Sequence, residues 1–213
     1  MGLKNKKVLI TCGPTWVAID PMRILSNTST GELGQRVALG LTKAGARVTL
    51  IEGAVAQPLK AKAVRILKFQ YFDELLNLIK QEAKKKYDII IHAAAVSDYR
   101  LRREFKSKID SHRKQITLEL VPTEKLINYF KKLNKKGLLV GFKLEPAGSL
   151  NSLKSKVNGL LTETRCDLVV ANYFKGNRYQ AFILGSNKEL LGKANNRKNL
   201  SQKLITTLKN QLA

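Results

Sequence analysis

Short apolar runs rich in β-branched residues recur along the chain and predict the strands of a sheet. Several of them are apolar at successive positions rather than at alternate ones, a pattern typical of strands covered on both faces. They therefore predict a buried central sheet. The runs are Val8–Thr11, Val48–Ile51, Ile89–His92, Leu138–Phe142 and Leu168–Val170.

The segments between these runs carry apolar residues at helical spacing. In Gly31–Ala44, for example, Leu33, Val37 and Leu41 lie on one stripe of a predicted helix. Strands that alternate with helices imply right-handed crossovers and a mostly parallel sheet. The pattern predicts an α/β fold that is doubly wound and Rossmann-like, with helices on both faces of the sheet. The other predicted helices lie in Phe72–Lys86, Glu124–Leu133, Leu150–Leu161 and Leu200–Leu212.

Two stretches depart from this alternation. In Tyr179–Leu191, two short strand candidates flank Gly185-Ser186-Asn187, which predicts a β-hairpin appended to the sheet edge. Tyr99–Leu120 is irregular and ends in the alternating segment Gln115–Leu120. Because the chain has no internal repeat, low-complexity linker or break in composition, residues 1–213 are predicted to form a single domain.

The chain is strongly basic, with 39 Lys and Arg against 16 Asp and Glu and a formal net charge of +23. Such an excess attracts polyanions: nucleotides, phosphorylated metabolites, nucleic acid or anionic membranes. A lysine-rich source proteome explains it equally well, because the basic residues are spread along the chain, although Arg100–Lys114 is denser. Nucleic acid is disfavoured as a partner, since aromatic residues are only 7% of the chain and are not interleaved on a basic face.

Cys12 and Cys166 each lie beside an apolar run and have neither metal-site nor disulfide spacing. They are predicted to be reduced thiols in the core of a cytoplasmic protein. The apolar stretch near the N-terminus is too short for a signal peptide, and no run approaches the roughly 20 residues that span a bilayer. The sequence therefore predicts a soluble protein without a membrane partner.

The segment between the first predicted strand and the first predicted helix is unusually long. About eighteen residues separate Thr11 from Gly31, and a loop of that length inside a domain usually has a function. Ser29 and Glu32 have capping-box spacing, which predicts the helix start. The hydroxyl-rich approach and Gly31 would offer backbone N–H groups and side-chain donors to an anion. Asn27 to Gly34 is thus either a phosphate-binding loop or an ordinary capped helix.

A dinucleotide-binding fold places its glycines directly after the first strand, and here they are displaced. Glu52, at the end of the second predicted strand, would suit the ribose of an NAD(P)-dependent reductase. The displaced glycines and the absence of a Tyr-x-x-x-Lys catalytic pair argue against such a reductase. It is therefore the second candidate rather than the first.

Small and polar residues follow the other predicted strands, at the edge where open parallel sheets bind ligands. Ala93 to Ala95 would let a ligand approach the backbone closely, and Asp98 is placed to bind a metal ion or a ribose hydroxyl. Phe142 is either a base-stacking residue or a core aromatic. Ala171 and Asn172 follow the last strand.

Together these segments resemble phosphopantothenoylcysteine synthetase, the ligase of coenzyme A biosynthesis. The resemblance runs from about Lys7 to Asn172, and Gly-Phe-Lys-Leu at 141–144 is closer to the stand-alone bacterial form than to the form fused to a decarboxylase. The motifs occur in the family's order: Gly13-Pro14-Thr15 with Ile19-Asp20-Pro21-x-Arg23, Asn27-x-Ser29-Thr30-Gly31-x-Leu33-Gly34, Ala94-Ala95-Val96-Ser97-Asp98-Tyr99, Lys108-Ile109, Val140-Gly141-Phe142 and Asp167-Leu168-Val169-Val170-Ala171-Asn172.

The resemblance implies a reaction in which 4′-phosphopantothenate is joined to cysteine through an acyl-nucleotidylate, with CTP (or ATP) and Mg²⁺. It also implies a homodimer, and a separate decarboxylase is a further candidate partner. A degenerate basic binding protein is the remaining alternative. Two catalytic residues are implied, Asn27 to hold the acyl intermediate and Lys108 to neutralise the triphosphate.

The resemblance assigns the other site residues to the two substrates. Arg23 would reach the phosphopantothenate phosphate from the neighbouring subunit, and Ala94 and Ala95 would contact the same substrate through their backbone. The residues implied for the nucleotide are Gly13, Ser29, Gly31, Gly34, Asp98, Lys108, Phe142, Ala171 and Asn172, with Asp98 also the candidate for the metal.

Some positions depart from the family pattern. Leu160 and Thr164 stand where the family has two lysines that help to bind the triphosphate, and Lys154 and Lys156 are the nearest substitutes. The family's Asn-Pro-Asp segment reads Val121-Pro122-Thr123, and its Lys-Ile-Lys-Lys segment ends here in Asp110-Ser111. These departures bear on which nucleotide binds and on its affinity more than on the fold.

Overall fold

The computed structural model describes residues 2–145, 150–175 and 178–212, with the backbone only at 150–154, 156 and 175. Five helices occur in this part of the chain: α1 (Glu32–Lys43), α2 (Phe72–Ala83), α3 (Ile127–Leu133), α4 (Leu150–Thr164) and α5 (Arg197–Gln211). The strands are β1 (Lys7–Cys12), β2 (Trp16–Asp20), β3 (Arg23–Ser26), β4 (Arg47–Glu52), β5 (Val64–Lys68), β6 (Ile89–His92), β7 (Tyr99–Leu101), β8 (Leu120–Pro122), β9 (Leu138–Glu145), β10 (Leu168–Lys175), β11 (Arg178–Gly185) and β12 (Leu190–Ala194).

Eight strands form one sheet in the order β12-β11-β10-β9-β6-β1-β4-β5. The six strands from β10 to β5 are parallel to their neighbours, whereas β11 and β12 are antiparallel and form the edge. The mostly parallel sheet and the appended hairpin are therefore confirmed.

Helices cover both faces of this sheet, so the doubly wound prediction is also confirmed. Side chains of α1 and α5 pack on one face together with Ile10 and Ile91. Side chains of α2, α3 and α4 pack on the other face together with Leu9 and Ile90. The alternation along β1 and β6 explains why these strands are apolar at successive positions: each side chain enters one of two cores.

One local prediction was wrong, and two further features were not predicted. The long segment before α1 is a hairpin of β2 and β3 rather than a loop. Its two strands were not predicted, because their residues are half-exposed and lack the continuous apolar pattern. Strand β5 was missed since Arg65 and Lys68 interrupt its apolar residues. Of the alternating segment Gln115–Leu120, only Leu120 belongs to a strand, the three-residue β8 that pairs with β7.

The strand order reverses between β1 and β6. The chain runs from β1 outward to β4 and β5 and then crosses back to β6, β9 and β10. Open α/β sheets bind their ligands in the crevice beyond the carboxyl ends of the strands at this point. In this protein the crevice lies beyond Cys12 and His92.

Candidate functional site

A buried pair of side chains closes the floor of the crevice. Thr11 Oγ1 lies 2.7 Å from His92 Nδ1 and also accepts a hydrogen bond from the Ala94 backbone N–H at 3.3 Å. Burial lowers the pKa of His92 to about 4, so the ring is neutral at neutral pH. The Thr11 hydroxyl is thus hydrogen-bonded to a neutral ring, and the three groups fix the first turn of the Ala93–Ala95 segment.

Gly13 lies where three chain segments meet. Its carbonyl accepts from Ala95 N–H at 2.9 Å, and Gly53 N–H donates to the adjacent Cys12 carbonyl at 2.9 Å. The φ angle of Gly13 is +81°, and a Cβ at this position would lie 3.0 Å from Gly53 N. Both the backbone conformation and the close approach therefore require glycine.

The N-terminus of α1 is seated directly over the end of β1. Gly31 has φ +71°, and a Cβ there would lie 2.9 Å from Val55 Cγ1; a Cβ at Gly34 would lie 2.3 Å from Cys12 Cβ. The two predicted glycines are thus sites of close packing. Because these two positions carry no side chain, α1 packs closely against the end of β1, and its first backbone N–H groups lie near the crevice.

The predicted capping box is wrong. Helix α1 begins at Glu32 with Gly31 as its N-cap, which has no side chain to cap it, and Thr30 Oγ1 accepts only a long 3.4 Å bond from Glu32 N–H. Ser29 Oγ accepts only a long 3.4 Å bond from Gly31 N–H. The left-handed turn at Gly31 moves Glu32 to the first position of the helix, where its carboxylate pairs with Arg36 Nε at 2.7 Å instead of reaching back.

The predicted catalytic residue Asn27 is hydrogen-bonded to the segment after β6, which contains the predicted substrate-binding residue Ala95. Its Nδ2 donates to the Ala95 carbonyl at 3.1 Å and to the Val96 carbonyl at 3.4 Å, across 68 and 69 residues of sequence. A residue that was not predicted supports the same segment: Thr15 Oγ1 accepts from Ser97 N–H at 2.8 Å. Asn27, Gly13 and Ala95 are therefore brought together at the mouth of the crevice.

Arg23 and Lys108 lie at the other end of the β2–β3 hairpin. Arg23 NH1 donates to Asp20 Oδ2 at 2.7 Å and to the Ile109 carbonyl at 3.2 Å. Lys108 is exposed and directly precedes this anchored residue. The structure therefore brings Arg23 to the residue that follows Lys108, although no role was predicted for Asp20.

Asp98 is exposed and paired. Lys125 Nζ donates to its Oδ1 at 2.5 Å, and its backbone carbonyl accepts from Thr123 N–H at 2.9 Å. Among the residues with described side chains, no group of three or more His, Cys, Asp or Glu is placed to hold a metal ion.

The residues predicted to surround the nucleoside differ in their placement. Phe142 is half-buried and packs against the core under α1 and α5. Asn172 lies on the same face, because Val170 is registered with Phe142 and Asn172 follows two residues later. The Ala171 side chain is fully buried in the core on the opposite face. Only the backbone of Ala171 is therefore placed to contribute to a ligand site.

The two positions where the family has lysines point inward. Leu160 packs against the α2–α4 core, and the buried Thr164 hydroxyl bonds to the Leu160 carbonyl and to Cys166 Sγ. The side chains of Lys154 and Lys156 lie outside the described residues. A cation that the sequence did not indicate, Arg197, pairs with Glu32 Oε2 at 3.4 Å.

Glu52 does not present its carboxylate to a ribose. Its side chain is fully buried, and it accepts from Gln35 Nε2 at 2.7 Å, from Leu59 N–H at 3.1 Å and from the Lys68 ammonium. These donors fix the loop that follows β4. The feature that suggested a reductase therefore has a structural role.

Cys12 and Cys166 are buried free thiols, as predicted, and burial raises the pKa of Cys166 to about 11. Among the described residues there is no helix with the length and apolar character needed to cross a bilayer.

Comparisons with known proteins agree on one family. Residues 3–213 match the model described as the DNA/pantothenate metabolism flavoprotein C-terminal domain. The coenzyme A biosynthesis bifunctional protein CoaBC of Thermococcus kodakarensis is 38% identical over 174 residues, and that of Borreliella burgdorferi is 35% identical over 199 residues. These alignments cover 81% and 88% of this chain but only 42% and 49% of the relatives, so the chain spans about half their length.

Solved structures share the fold. The crystal structure of the DNA/pantothenate metabolism flavoprotein from Streptococcus pneumoniae superposes with a TM-score of 0.86 at 25% identity and covers 97% of this chain and 99% of that one. A Cab2 mutant in complex with phosphopantothenate-cysteine superposes with a TM-score of 0.77 at 18% identity, covering 98% and 88% of the two chains. The second likeness shows the fold alone.

Proposed function

Because the chain belongs to the family of the DNA/pantothenate metabolism flavoprotein C-terminal domain, we propose that residues 1–213 form one ligase domain that joins 4′-phosphopantothenate to cysteine. The nucleotide is CTP (or ATP), and the intermediate is an acyl-nucleotidylate. The similar CoaBC proteins act in coenzyme A biosynthesis by name, and the Cab2 structure holds phosphopantothenate-cysteine.

One observation carries the proposal: the Asn27 amide reaches the Ala95 carbonyl at the strand-order reversal. The acyl group of phosphopantothenate would lie along Ala94 and Ala95, beside the amide that holds it for attack by the cysteine amine. An amide is suited to this task, since it donates and accepts hydrogen bonds without adding charge.

The nucleotide would occupy the neighbouring part of the crevice. The backbone N–H groups at the N-terminus of α1 and the Ser29 hydroxyl would bind phosphate oxygens, and Gly13, Gly31 and Gly34 would allow that close approach. Phe142 and Asn172 lie on the same face of the sheet as α1 and would contact the base and ribose.

The reaction brings two anions together, because a carboxylate attacks an α-phosphate. Lys108 would neutralise the charge that develops on the phosphorus, and Arg23 would bind the phosphopantothenate phosphate. Mg²⁺ would enter on the triphosphate and supply further positive charge, with Asp98 as the candidate carboxylate ligand once Lys125 is displaced.

We infer a homodimer from exposed apolar residues on the two small hairpins. Met22, Ile24 and Leu25 on β2–β3, and Tyr99 and Leu120 on β7–β8, are at least 40% exposed, up to 72% for Met22. Side chains of this kind are seldom left in water when they cluster. A second copy that covers them would place Arg23 beside the partner's site.

The similar CoaBC proteins are named bifunctional and are about twice as long as the matched region. We therefore propose that a separate decarboxylase uses the product. The basic surface and the buried reduced thiols suit a cytoplasmic enzyme with phosphorylated substrates.

The deciding experiment is a pyrophosphate-release assay with purified protein, phosphopantothenate, cysteine and Mg²⁺. CTP and ATP are compared, and omission of cysteine separates nucleotidylate formation from the complete reaction. We expect release that depends on phosphopantothenate with at least one nucleotide. Absence of release above background with every nucleoside triphosphate would overturn the ligase proposal and favour a degenerate binding protein.

A further inference from the structure

A carboxylate that has no predicted role is buried at the tip of the β2–β3 hairpin. The Asp20 side chain is fully buried. Its Oδ1 accepts from Met22 N–H at 2.8 Å, and its Oδ2 accepts from Arg23 NH1 at 2.7 Å and from Ile109 N–H at 3.0 Å. Carboxylates are rarely buried unless such donors compensate them, so this side chain is held in one place.

The third donor belongs to a different part of the chain. Residues 102–119 connect β7 to β8, and we call them the strap; nearly all of its side chains are exposed. Phe105 and Leu118 are half-buried, and Ile109 is the one buried side chain of the strap, at 4% exposed. Its N–H binds Asp20 and its carbonyl binds Arg23, so both of its backbone groups are attached to the hairpin tip. Phe105 N–H adds one bond, to the Ile19 carbonyl at 2.9 Å.

This attachment controls the position of Lys108, which is the residue before Ile109 in the strap. A lysine on an unattached strap would have to be ordered in each catalytic cycle, whereas the anchored backbone provides that order in advance. The Ile109 N–H, followed by the Met22 N–H and the Arg23 charge, holds the pKa of Asp20 below its usual value. The ionised carboxylate is therefore the form that anchors the strap.

We propose that Asp20 is a positioning residue, which joins Arg23 and the strap so that Arg23 and Lys108 act on phosphate groups as one fixed pair of cations. This inference rests on the proposed ligase function. Asp20 would not touch either substrate, since its oxygens are occupied by protein donors and its side chain is buried.

The kinetic test is the Asp20→Asn variant, which keeps the size of the side chain and removes its charge. We expect kcat for pyrophosphate release to fall about tenfold or more, because small displacements of a catalytic group are costly. In a Lys108→Ala background the same change should have a smaller effect, because only the part that acts through Arg23 remains. A full additional loss in that background would overturn the positioning role, since Asp20 would then act independently of Lys108.

The matched control is Asp88→Asn. Asp88 also accepts a backbone hydrogen bond, from Lys7 N–H at 2.8 Å, and pairs with Lys6, but it lies at the amino ends of the strands. Its replacement should leave kcat unchanged. If Asp20→Asn does not fold, as judged by its thermal unfolding midpoint, Ile109→Pro removes the same hydrogen bond from the strap side and should reproduce the kinetic effect.

A second measurement does not depend on ligase activity. Trypsin cleaves after exposed basic residues, and the strap contains Arg102, Arg103, Lys106 and Lys108. Mass spectrometry should show faster cleavage at these positions in Asp20→Asn, and not in Asp88→Asn. Unchanged strap cleavage would overturn the inference even in an active enzyme. Faster cleavage in a protein without ligase activity would instead overturn the proposed function and leave the anchoring established.

Discussion

Asn27 shows how one exposed side chain can be fixed by its surroundings. Its Nδ2 donates to two carbonyl oxygens, those of Ala95 and Val96. In Asn27→Asp, a carboxylate oxygen would face these carbonyls without a proton to share, and the side chain would turn away. We therefore expect the variant to form the acyl-nucleotidylate and to release little phosphopantothenoylcysteine.

The measurement is a rapid-quench assay that separates the nucleotidylate from the final product by chromatography. Pyrophosphate release in the first turnover should persist while product formation falls about a hundredfold, the usual loss for a group that orients a reacting intermediate. Normal turnover by Asn27→Asp would show that the role assigned to Asn27 is wrong.

Gly34 tests the close packing of α1 on β1. A Cβ at this position would lie 2.3 Å from Cys12 Cβ, so Gly34→Ala forces the helix away from the strand. We expect the free energy of unfolding to fall by about 1–3 kcal/mol, as for other overpacked cores. Urea denaturation monitored by circular dichroism would measure the change.

Gly159 in α4 is the matched control for this substitution. A Cβ there meets only Glu163 Oε1 at 3.8 Å, and alanine is the better helix former. Gly159→Ala should raise the free energy of unfolding by roughly 0.5–1 kcal/mol. If both substitutions change stability by the same amount and sign, close packing does not explain the glycine at position 34.

At the level of elements, the sequence predicts the strands and helices whose side chains pack in the two cores. Strands β1, β4, β6, β9 and β10 are covered on both faces, so their apolar runs are continuous, and the five helices have one apolar stripe each. The hairpins β2–β3 and β7–β8 lie outside the cores, so their residues carry no such pattern. The capping-box prediction failed because spacing does not reveal the left-handed turn at Gly31.

The pairing of β1 with β6 makes the free energy of unfolding depend on pH. Thr11 and His92 are registered partners, and burial lowers the pKa of His92 to about 4 from an ordinary value near 6.5. Between these values the unfolded chain binds a proton that the folded protein does not. The free energy of unfolding should therefore fall as the pH decreases from 6.5 toward 4, by up to about 1.4 kcal/mol per pH unit.

Urea denaturation at several pH values would test this, with His92→Gln as the variant that cannot titrate. Its free energy of unfolding should depend less steeply on pH over this range than that of the unaltered protein. His112→Gln is the control, since that side chain is 92% exposed and should leave the slope in place. An unchanged slope in His92→Gln would contradict the assignment.

At the scale of the whole molecule, the motifs led to the site because they follow strands that meet at one edge of the sheet. Gly13 and Ala95 are brought together in this way, because they follow the neighbouring strands β1 and β6, and the β2–β3 hairpin brings Asn27 to Ala95. The contribution of Asp20 could not be predicted, because it depends on a hydrogen bond to Ile109, 89 residues away, in a strap without regular structure. The net charge of +23 likewise did not distinguish a nucleotide site from any other polyanion site.

The proposed dimer leads to a prediction about shared sites. If Arg23 acts on the partner's site, a heterodimer of Arg23→Ala and Asn27→Asp subunits contains one site with both residues intact and one with neither. Such a heterodimer, isolated with two different affinity tags, should recover about half of the unaltered activity, although each parent homodimer is inactive. Pairing Arg23→Ala with a subunit that carries both substitutions is the control and should remain inactive. A heterodimer without activity would show that Arg23 serves the site of its own chain, in which case the contact between Arg23 and Ile109 would orient the strap toward the crevice of the same subunit.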